Sequence, residues 1–200
     1  MITLENVHKT FNEGTINERK ALIDINLKLE EGDFVSVIGG NGAGKSTLLN
    51  LIAGVYEVDS GHIYFDETEV TETKEHIRAR YLGRVFQDPM LGTAANMQIE
   101  ENLALALRRG KRRTLAWGIR HFEKEMYKKE LAMLDLGLEN RMTTKVGLLS
   151  GGQRQALTLL MATIKKPRLL LLDEHTAALD PKTALKVLKL PDEIVQKENL

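Results

Sequence analysis

The sequence predicts an α/β fold in which a core of strands and helices carries a β-rich lobe and an inserted helical lobe. Apolar and polar residues alternate over residues 23–29, as they do in a half-buried antiparallel strand. A short apolar stretch at residues 34–38 predicts a strand that runs into a glycine-rich loop and then into a helix at residues 46–53. Residues 99–141 have apolar side chains at helical spacing and no strand pattern, which indicates the helical lobe.

The other elements follow from local patterns and turn residues. Residues 2–38 are strand-like, with a turn at Gly32, and Gly54 ends the helix that begins at Ser46. The remaining predicted elements, in chain order, are strands at 63–65 and 82–86, a helix after Ser150, a strand at 168–172 and a helix from Pro181. We expect a single domain over residues 1–200, with the helical lobe at about residues 90–148.

The composition indicates an ordinary globular protein. With 200 residues, the chain can bury roughly 70% of its unfolded surface. Lys plus Arg and Asp plus Glu both number 28, so no overall charge attracts nucleic acid or an anionic membrane. The absence of cysteine excludes disulfides, cysteine-ligated zinc and a cysteine nucleophile. Residues 1–5 lack the basic start of a signal peptide, and the aliphatic runs are shorter than the ~20 residues of a membrane-spanning helix, so we expect a cytoplasmic location.

A phosphate-binding loop lies between the strand pattern at 34–38 and the helix pattern at 46–53. Its spacing is G-x-x-x-x-G-K-S, and the nucleotide-binding residues it predicts are Gly39, Gly40, Asn41, Gly42, Ala43, Gly44, Lys45, Ser46 and Thr47. The glycines let backbone N–H groups converge on phosphate oxygens at the positive end of the helix. Lys45 supplies a cation for the β- and γ-phosphates, and the Ser46 hydroxyl is a candidate Mg²⁺ ligand.

Two acids follow the apolar strand predicted at 168–172. Asp173 is placed as a Mg²⁺ ligand, because metal-binding carboxylates of phosphate-loop proteins lie at a strand end beside the loop. Glu174 is placed to polarise an attacking water as a general base. Taken alone, the pattern also fits an ordinary strand end.

Residues 149–155 begin with Leu-Ser-Gly-Gly-Gln. Ser150 is a good helix N-cap, and the glycines after it allow close approach to backbone N–H groups, which predicts a second anion site at a helix start. The motif resembles the signature of the ABC ATPases, and the resemblance covers essentially the whole chain. It implies a P-loop NTPase core with an antiparallel β lobe and an inserted α-helical lobe. The residues that match the signature are Ser150, Gly151, Gly152 and Gln153.

The resemblance implies that ATP joins two copies of the chain in a homodimer. In that family two subunits pack head to tail, and the signature of one subunit closes on the γ-phosphate held by the other. Phe11 matches the aromatic residue that stacks on adenine, although core packing would also explain it. Gln87 matches the glutamine that contacts Mg²⁺ and water, and Asp180 matches an interface loop, although Asp180 is also a good helix N-cap before Pro181.

The chain departs from the family pattern at two places. His175 stands where the family commonly has proline, and its role is open. The family's switch histidine follows one further strand, and the chain ends at Leu200 without a histidine in that position. We therefore expect the 200-residue chain to bind Mg-ATP but to hydrolyse it more slowly than a version extended through that histidine.

The resemblance implies an ATPase that powers transport through an integral membrane permease, bound to the inner face of the membrane. The sequence around residues 173–181 resembles bacterial uptake ATPases that work with a separate substrate-binding protein, some of them proposed to carry amino acids such as tryptophan. Nothing in the chain identifies the cargo or the direction of transport.

Two other function classes stay open: a soluble ABC-type ATPase in translation or DNA repair, and a regulatory module that binds nucleotide without hydrolysing it. The basic run at 108–113 predicts a solvated loop or a contact with an anionic membrane surface. Nucleic-acid binding is not expected, because no stacking platform accompanies this single patch.

Overall fold

The computed structural model describes residues 1–111 and 118–173 of the chain. The chain divides into two compact units, Met1–Arg80 and Tyr81–Leu200. The first contains an antiparallel sheet, and the second contains parallel strands with helices, which agrees with the predicted α/β fold class. The single domain expected over residues 1–200 stays a prediction.

The first unit is built on a four-stranded antiparallel sheet. Its strands are β1 (Ile2–Phe11), β2 (Arg19–Leu29), β3 (Ser60–Phe65) and β4 (Thr68–Glu69), in the order β2-β1-β3-β4. Two helices, α1 (Lys45–Ala53) and α2 (Glu75–Arg78), complete the unit. Apolar side chains from the strands and from α1 form its buried core because sheet and helix each present one apolar face. The core includes Ile2, Leu4, Val7, Leu22, Leu48, Leu51, Ile52, Ile63, Phe65 and Val70.

The strand predicted at residues 34–38 was wrong for the described structure, in which no strand includes these residues. Phe34 is 73% exposed and Ile38 is 93% exposed. The apolar pattern predicted burial, but a strand forms only where another strand supplies backbone hydrogen-bond partners. The glycine-rich loop therefore follows an irregular segment, whereas the helix after it forms as expected.

The second unit contains a pair of parallel strands and three α-helices among its described residues. Strands β5 (Leu82–Val85) and β6 (Leu169–Leu172) pair in parallel, with Val85 opposite Leu172. The helices are α3 (Ile99–Leu107), α4 (His121–Met133) and α5 (Gly151–Thr163), with short 3₁₀ turns at Leu138–Asn140 and Val146–Leu148. Parallel strands need a long crossover, and here the helices supply it. Both predicted strands are confirmed, and so is the helical character of residues 99–141 where the structure describes them.

Candidate functional site

The glycine-rich loop enters helix α1 through Gly44, whose backbone is left-handed with φ of 88°. A Cβ atom on Gly44 would lie 2.5 Å from the carbonyl oxygen of Ala21 and 3.0 Å from Leu22. Only glycine fits this position, because any other side chain would be strained by φ and would also meet the β2 backbone. Helix α1 has no acidic residue in its first turn, so its positive N-terminal end faces the loop uncompensated.

Lys45 directs its charge into the loop. Its Nζ donates hydrogen bonds to the carbonyl oxygens of Gly39, at 2.7 Å, and Gly40, at 3.0 Å. The next residue, Ser46, is exposed in the first turn of α1, and Thr47 is half-buried. The described structure therefore gathers an ammonium group, a hydroxyl and a helix N-terminus around one loop. These are the groups that bind phosphate oxygens.

A second cation, which the sequence motifs did not indicate, contacts the same loop. Arg19 is the first residue of β2, and its Nη2 donates to the carbonyl oxygen of Gly42. A Cβ atom on Gly42 would lie 2.7 Å from the same Nη2 atom. The guanidinium group thus lies directly against the loop at Gly42, whose φ of 81° is a conformation that favours glycine.

Phe11 ends β1 and forms an edge-to-face pair with Tyr56, with ring centroids 5.3 Å apart and planes at 80°. Its ring is half-buried, and the Lys9 Nζ lies 5.6 Å from the ring centroid. The pair has the geometry that aromatic rings prefer. The Phe11 face is therefore held in place by a neighbour, Tyr56, that sequence reasoning did not single out.

The far end of α1 is held by a buried arginine. Arg78 is 1% exposed and donates to the carbonyl oxygens of Leu51, at 2.7 Å, and Ile52, at 3.1 Å, in the last turn of α1. Burial lowers the pKa of Arg78 to about 10. Its positive charge faces the negative end of the α1 dipole, which favours it. Gly54 ends α1 in the left-handed conformation, as the sequence predicted.

In the second unit, helix α5 begins with the predicted cap. The Ser150 Oγ accepts a hydrogen bond from the Gln153 backbone N at 3.3 Å, and the Gln153 Oε1 accepts one from the Ser150 N at 3.2 Å. This reciprocal pair is a capping box. Gly151 and Gly152 form the first two positions of the helix, and a Cβ atom on Gly151 would meet nothing within 4 Å. The first turn of α5 contains no acidic residue, so it can accept an anion.

Gln87 and Asp173 lie at the same end of the β5–β6 pair. The Asp173 N donates to the carbonyl oxygen of Val85 at 3.1 Å, and Gln87 is two residues beyond Val85. The carboxyl ends of parallel strands meet at one edge of a sheet, which is where ligand-binding side chains of α/β proteins lie. The structure therefore brings these two predicted residues to one edge.

The chain after Gln87 is joined to the chain before Ser150. Residues 95–100 exchange backbone hydrogen bonds with residues 142–147, including Val146 N to Met97 O at 3.0 Å and Gly147 N to Ala95 O at 2.8 Å. A Cβ atom on Gly147 would lie 3.0 Å from that Ala95 oxygen. Backbone bonding of this kind holds the two segments as one piece.

Two buried or half-buried polar side chains bond these segments, Asn102 within the segment after Gln87 and Arg154 across to the segment before Ser150. Asn102 is 1% exposed, and its Oδ1 accepts a hydrogen bond from the Ala94 N at 2.8 Å. Its Nδ2 donates to the carbonyl oxygens of Ala94 at 3.2 Å, Met97 at 3.5 Å and Gln98 at 2.9 Å. The Arg154 Nη2 donates to three carbonyl oxygens in residues 146–149, and its Nη1 contacts the Met90 sulfur. Arg154 of helix α5 therefore contacts both Met90, in the segment after Gln87, and the segment before Ser150.

A family model described as ABC transporter matches residues 22–177. The range includes the phosphate-type loop, the edge with Gln87 and Asp173, and the capped start of α5. The chain belongs to the ABC transporter family. The resemblance drawn from the sequence is confirmed, and this ABC transporter chain is an ATP-binding and ATP-hydrolysing subunit of a transport system.

Two relatives have names that describe transport systems. The chain is 44% identical over 200 residues to the tyrosine transport ATP-binding protein of Clostridioides difficile (strain R20291), covering 100% of this chain and 79% of the relative. It is 38% identical over 185 residues to the sulfate/thiosulfate import ATP-binding protein CysA of Halalkalibacterium halodurans, covering 90% of this chain. The chain spans 47% of the length of that second relative.

Solved ABC cassettes share the fold. A dimeric post-hydrolysis state of the ATP-binding cassette MJ0796 bound to ADP and Pi matches with a TM-score of 0.84 at 30% identity, covering 100% of this chain and 84% of that one. A nucleotide-free ATP-binding cassette from an ABC transporter matches with a TM-score of 0.78 at 28% identity, covering 98% of this chain and 78% of that one. The predicted fold class is thereby confirmed.

Some residues that the ABC resemblance assigned lie outside the described residues. These are Glu174 and Asp180, whose roles stay predictions. His175, whose role stays open, also lies outside them. Of the basic run at 108–113, residues 112 and 113 also lie outside the described part. Arg108 pairs with both Glu123 carboxylate oxygens at 3.0 Å, and Arg109 donates to the Ala162 carbonyl oxygen at 3.2 Å. Arg108 and Arg109 therefore both form hydrogen bonds within the second unit of the ABC subunit.

No described helix has both the length and the apolar character needed to cross a membrane.

Four residues of this description were not indicated by the sequence motifs, because none of them belongs to a short motif. They are Arg19, Tyr56, Arg78 and Asn102. Arg19 and Arg78 contact residues more than 20 positions away in the chain. The only available signal for Asn102 was a polar residue within the apolar face of a predicted helix.

Proposed function

We propose that this subunit binds ATP at the loop of residues 39–47, with Phe11 against the adenine base and Lys45 facing the β- and γ-phosphates. The observation that carries the proposal is the Lys45 Nζ, which points into the loop and donates to the Gly39 and Gly40 carbonyl oxygens. Charged phosphate oxygens are stronger acceptors than neutral carbonyl oxygens, so the Lys45 ammonium group would donate to them instead. The uncompensated N-terminus of α1 favours the same anion.

Calorimetric titration with Mg-ATP tests this assignment. Lys45→Ala should weaken ATP binding about tenfold or more, because a hydrogen bond to a charged group is lost. Lys20→Ala is the matched control, since Lys20 is an exposed lysine of the same unit that has no hydrogen bond to the loop in the described structure. Equal ATP affinity in Lys45→Ala and Lys20→Ala would overturn the assignment.

We propose that Ser46, Gln87 and Asp173 are the residues that would hold Mg²⁺. Their hydroxyl, amide and carboxylate oxygens are the hard donors that Mg²⁺ prefers, and Gln87 and Asp173 share one sheet edge. The ion, when bound, supplies positive charge that neutralises phosphate oxygens. Glu174, the residue after Asp173, would accept a proton from the attacking water, and Lys45 and Gln87 would orient the reacting groups.

We propose further that two copies of the chain close on ATP. Ser150, Gly151, Gly152 and Gln153 would bind the γ-phosphate held by the other copy, and Asp180 would lie in the interface loop. The capped, glycine-led start of α5 supports this role because it offers backbone N–H groups without an acidic neighbour. A two-fold axis would then produce two equivalent sites from one loop and one signature.

The subunit would act at the inner, cytoplasmic face of a membrane, bound to an integral permease that works with a separate substrate-binding protein. We propose an amino acid such as tyrosine as the cargo, because the relative matched over the whole chain at 44% identity is named for tyrosine transport. The test is uptake into vesicles that contain the co-purified permease complex, with its binding protein and ATP. Labelled tyrosine should accumulate in the vesicles. Accumulation of sulfate instead would overturn the proposal that the cargo is an amino acid.

A further inference from the structure

Arg19 occupies a distinctive place in the first unit. It begins β2, and its Cα is paired with that of Phe11, the last residue of β1. Its side chain reaches the phosphate-type loop, where Nη2 donates to the Gly42 carbonyl oxygen. One residue thus has its backbone paired with that of Phe11 and its charge against the loop.

The charge of Arg19 is available to a ligand. Arg19 is exposed, and among the described residues no carboxylate pairs with it. The neighbouring Glu18 directs its carboxylate elsewhere, accepting from the Gly14 backbone N at 2.9 Å. A guanidinium has five N–H donors. In the described structure only Nη2 is used, on a neutral carbonyl oxygen.

We propose that Arg19 is a second phosphate-binding cation of this site, in addition to Lys45. The inference rests on the proposed nucleotide site and deepens it. Lys45 and Arg19 make the same kind of contact with the loop, the first with Gly39 and Gly40 and the second with Gly42. A planar guanidinium can keep one nitrogen on the carbonyl while another bonds a phosphate oxygen, which is a stronger, charge-assisted acceptor.

The inference predicts an effect on phosphate binding that is independent of the base. The probes are Mg-ATP and Mg-tripolyphosphate, a ligand with phosphates but no nucleoside, each titrated by calorimetry. Arg19→Ala should weaken both ligands by the same factor, about tenfold. Lys20→Ala, the exposed neighbour on the same strand, should change neither. An unchanged dissociation constant for tripolyphosphate in Arg19→Ala would overturn the inference, even if ATP binding became weaker.

Two further substitutions separate phosphate binding from support of the loop. Arg19→Gln keeps a donor for the Gly42 carbonyl oxygen but removes the charge, whereas Arg19→Lys keeps the charge. Phosphate binding requires that Lys restores much of the affinity and that Gln behaves like Ala. If Gln restored the affinity instead, Arg19 would be a structural contact only and the inference would be wrong. Because Arg19 is exposed, thermal unfolding of each variant should stay close to that of the wild type.

Two control variants distinguish failure of this inference from failure of the proposed site. Phe11→Ala should weaken Mg-ATP but not Mg-tripolyphosphate, because it removes only the contact with the base. Lys45→Ala should weaken both ligands. If Lys45→Ala had no effect, the phosphate-loop assignment itself would fail. If Lys45→Ala weakened both ligands and Arg19→Ala weakened neither, only the role of Arg19 would be overturned.

Discussion

Replacing Arg78 tests how the unit that carries the phosphate-type loop is held together. The side chain is 1% exposed and makes four hydrogen bonds to backbone carbonyl oxygens. Two of these oxygens belong to the last turn of α1, and the other two belong to Thr71 and Thr73, ahead of α2. Arg78→Ala would leave all four oxygens without this donor and would open a cavity behind α1.

The size of the effect follows from these contacts. A net value of about 1 kcal/mol for each bond gives about 4 kcal/mol in the free energy of unfolding. At roughly 2–4 °C per kcal/mol, Tm should fall by about 8–16 °C. Arg78→Lys keeps the charge but gathers its donors on one nitrogen, so it should lose about half as much.

Urea and thermal unfolding followed by far-UV circular dichroism measure this difference. Arg80→Ala is the matched control, since Arg80 is an exposed arginine two residues along the chain and should change stability by less than about 0.5 kcal/mol. If Arg78→Ala were no less stable than Arg80→Ala, Arg78 would not anchor the end of α1.

Three other predictions concern a glycine, an amide and a carboxylate. Gly44→Ala should destabilise the chain and weaken ATP binding at least tenfold, because its Cβ would meet the β2 backbone. Gly137→Ala is the control: Gly137 has φ of 70° and nothing within 4 Å of an added Cβ, so the substitution should cost only about 1–2 kcal/mol of strain and leave ATP affinity unchanged. Asn102→Ala should lower the free energy of unfolding by about 3 kcal/mol in urea titrations, since four hydrogen bonds to backbone are lost. Burial raises the pKa of Asp59, but bonding to Lys9 and to the backbone outweighs it and holds the pKa below 3.8. The charge therefore contributes stability above pH 3.8 that is lost as the pH falls through the lowered value, and urea unfolding should show a larger acid loss for the wild type than for Asp59→Asn.

The sequence predicted the elements whose cause is local. Ser150 caps α5 with its own third neighbour, and Gly54 ends α1 by adopting the left-handed conformation, so both appear in the motif itself. The strand predicted at 34–38 had no such local cause. Its apolar pattern fixes a tendency to be buried, but strand formation depends on a partner that the pattern does not contain.

The missed site residues depend on contacts across the chain. Arg19 and Gly42 are 23 positions apart, and Arg78 reaches Leu51 across 27 positions. A lone arginine is most often solvated, so nothing in its immediate neighbours distinguishes one that touches a phosphate loop or a helix end. Motifs therefore indicated the residues that we propose face the ligand, whereas the contacts of Arg19 and Arg78 became visible only in the tertiary structure.

The proposed closure of two copies of this ATPase around ATP is tested most directly by the mass of Glu174→Gln in solution. The substitution removes the proposed general base and should retain bound ATP, so that the closed dimer accumulates. Size-exclusion chromatography with light scattering should give the mass of one 22.5 kDa chain without nucleotide and twice that mass with Mg-ATP. A mass that stays at one chain at high protein concentration, with ATP shown by calorimetry to be bound, would contradict the account.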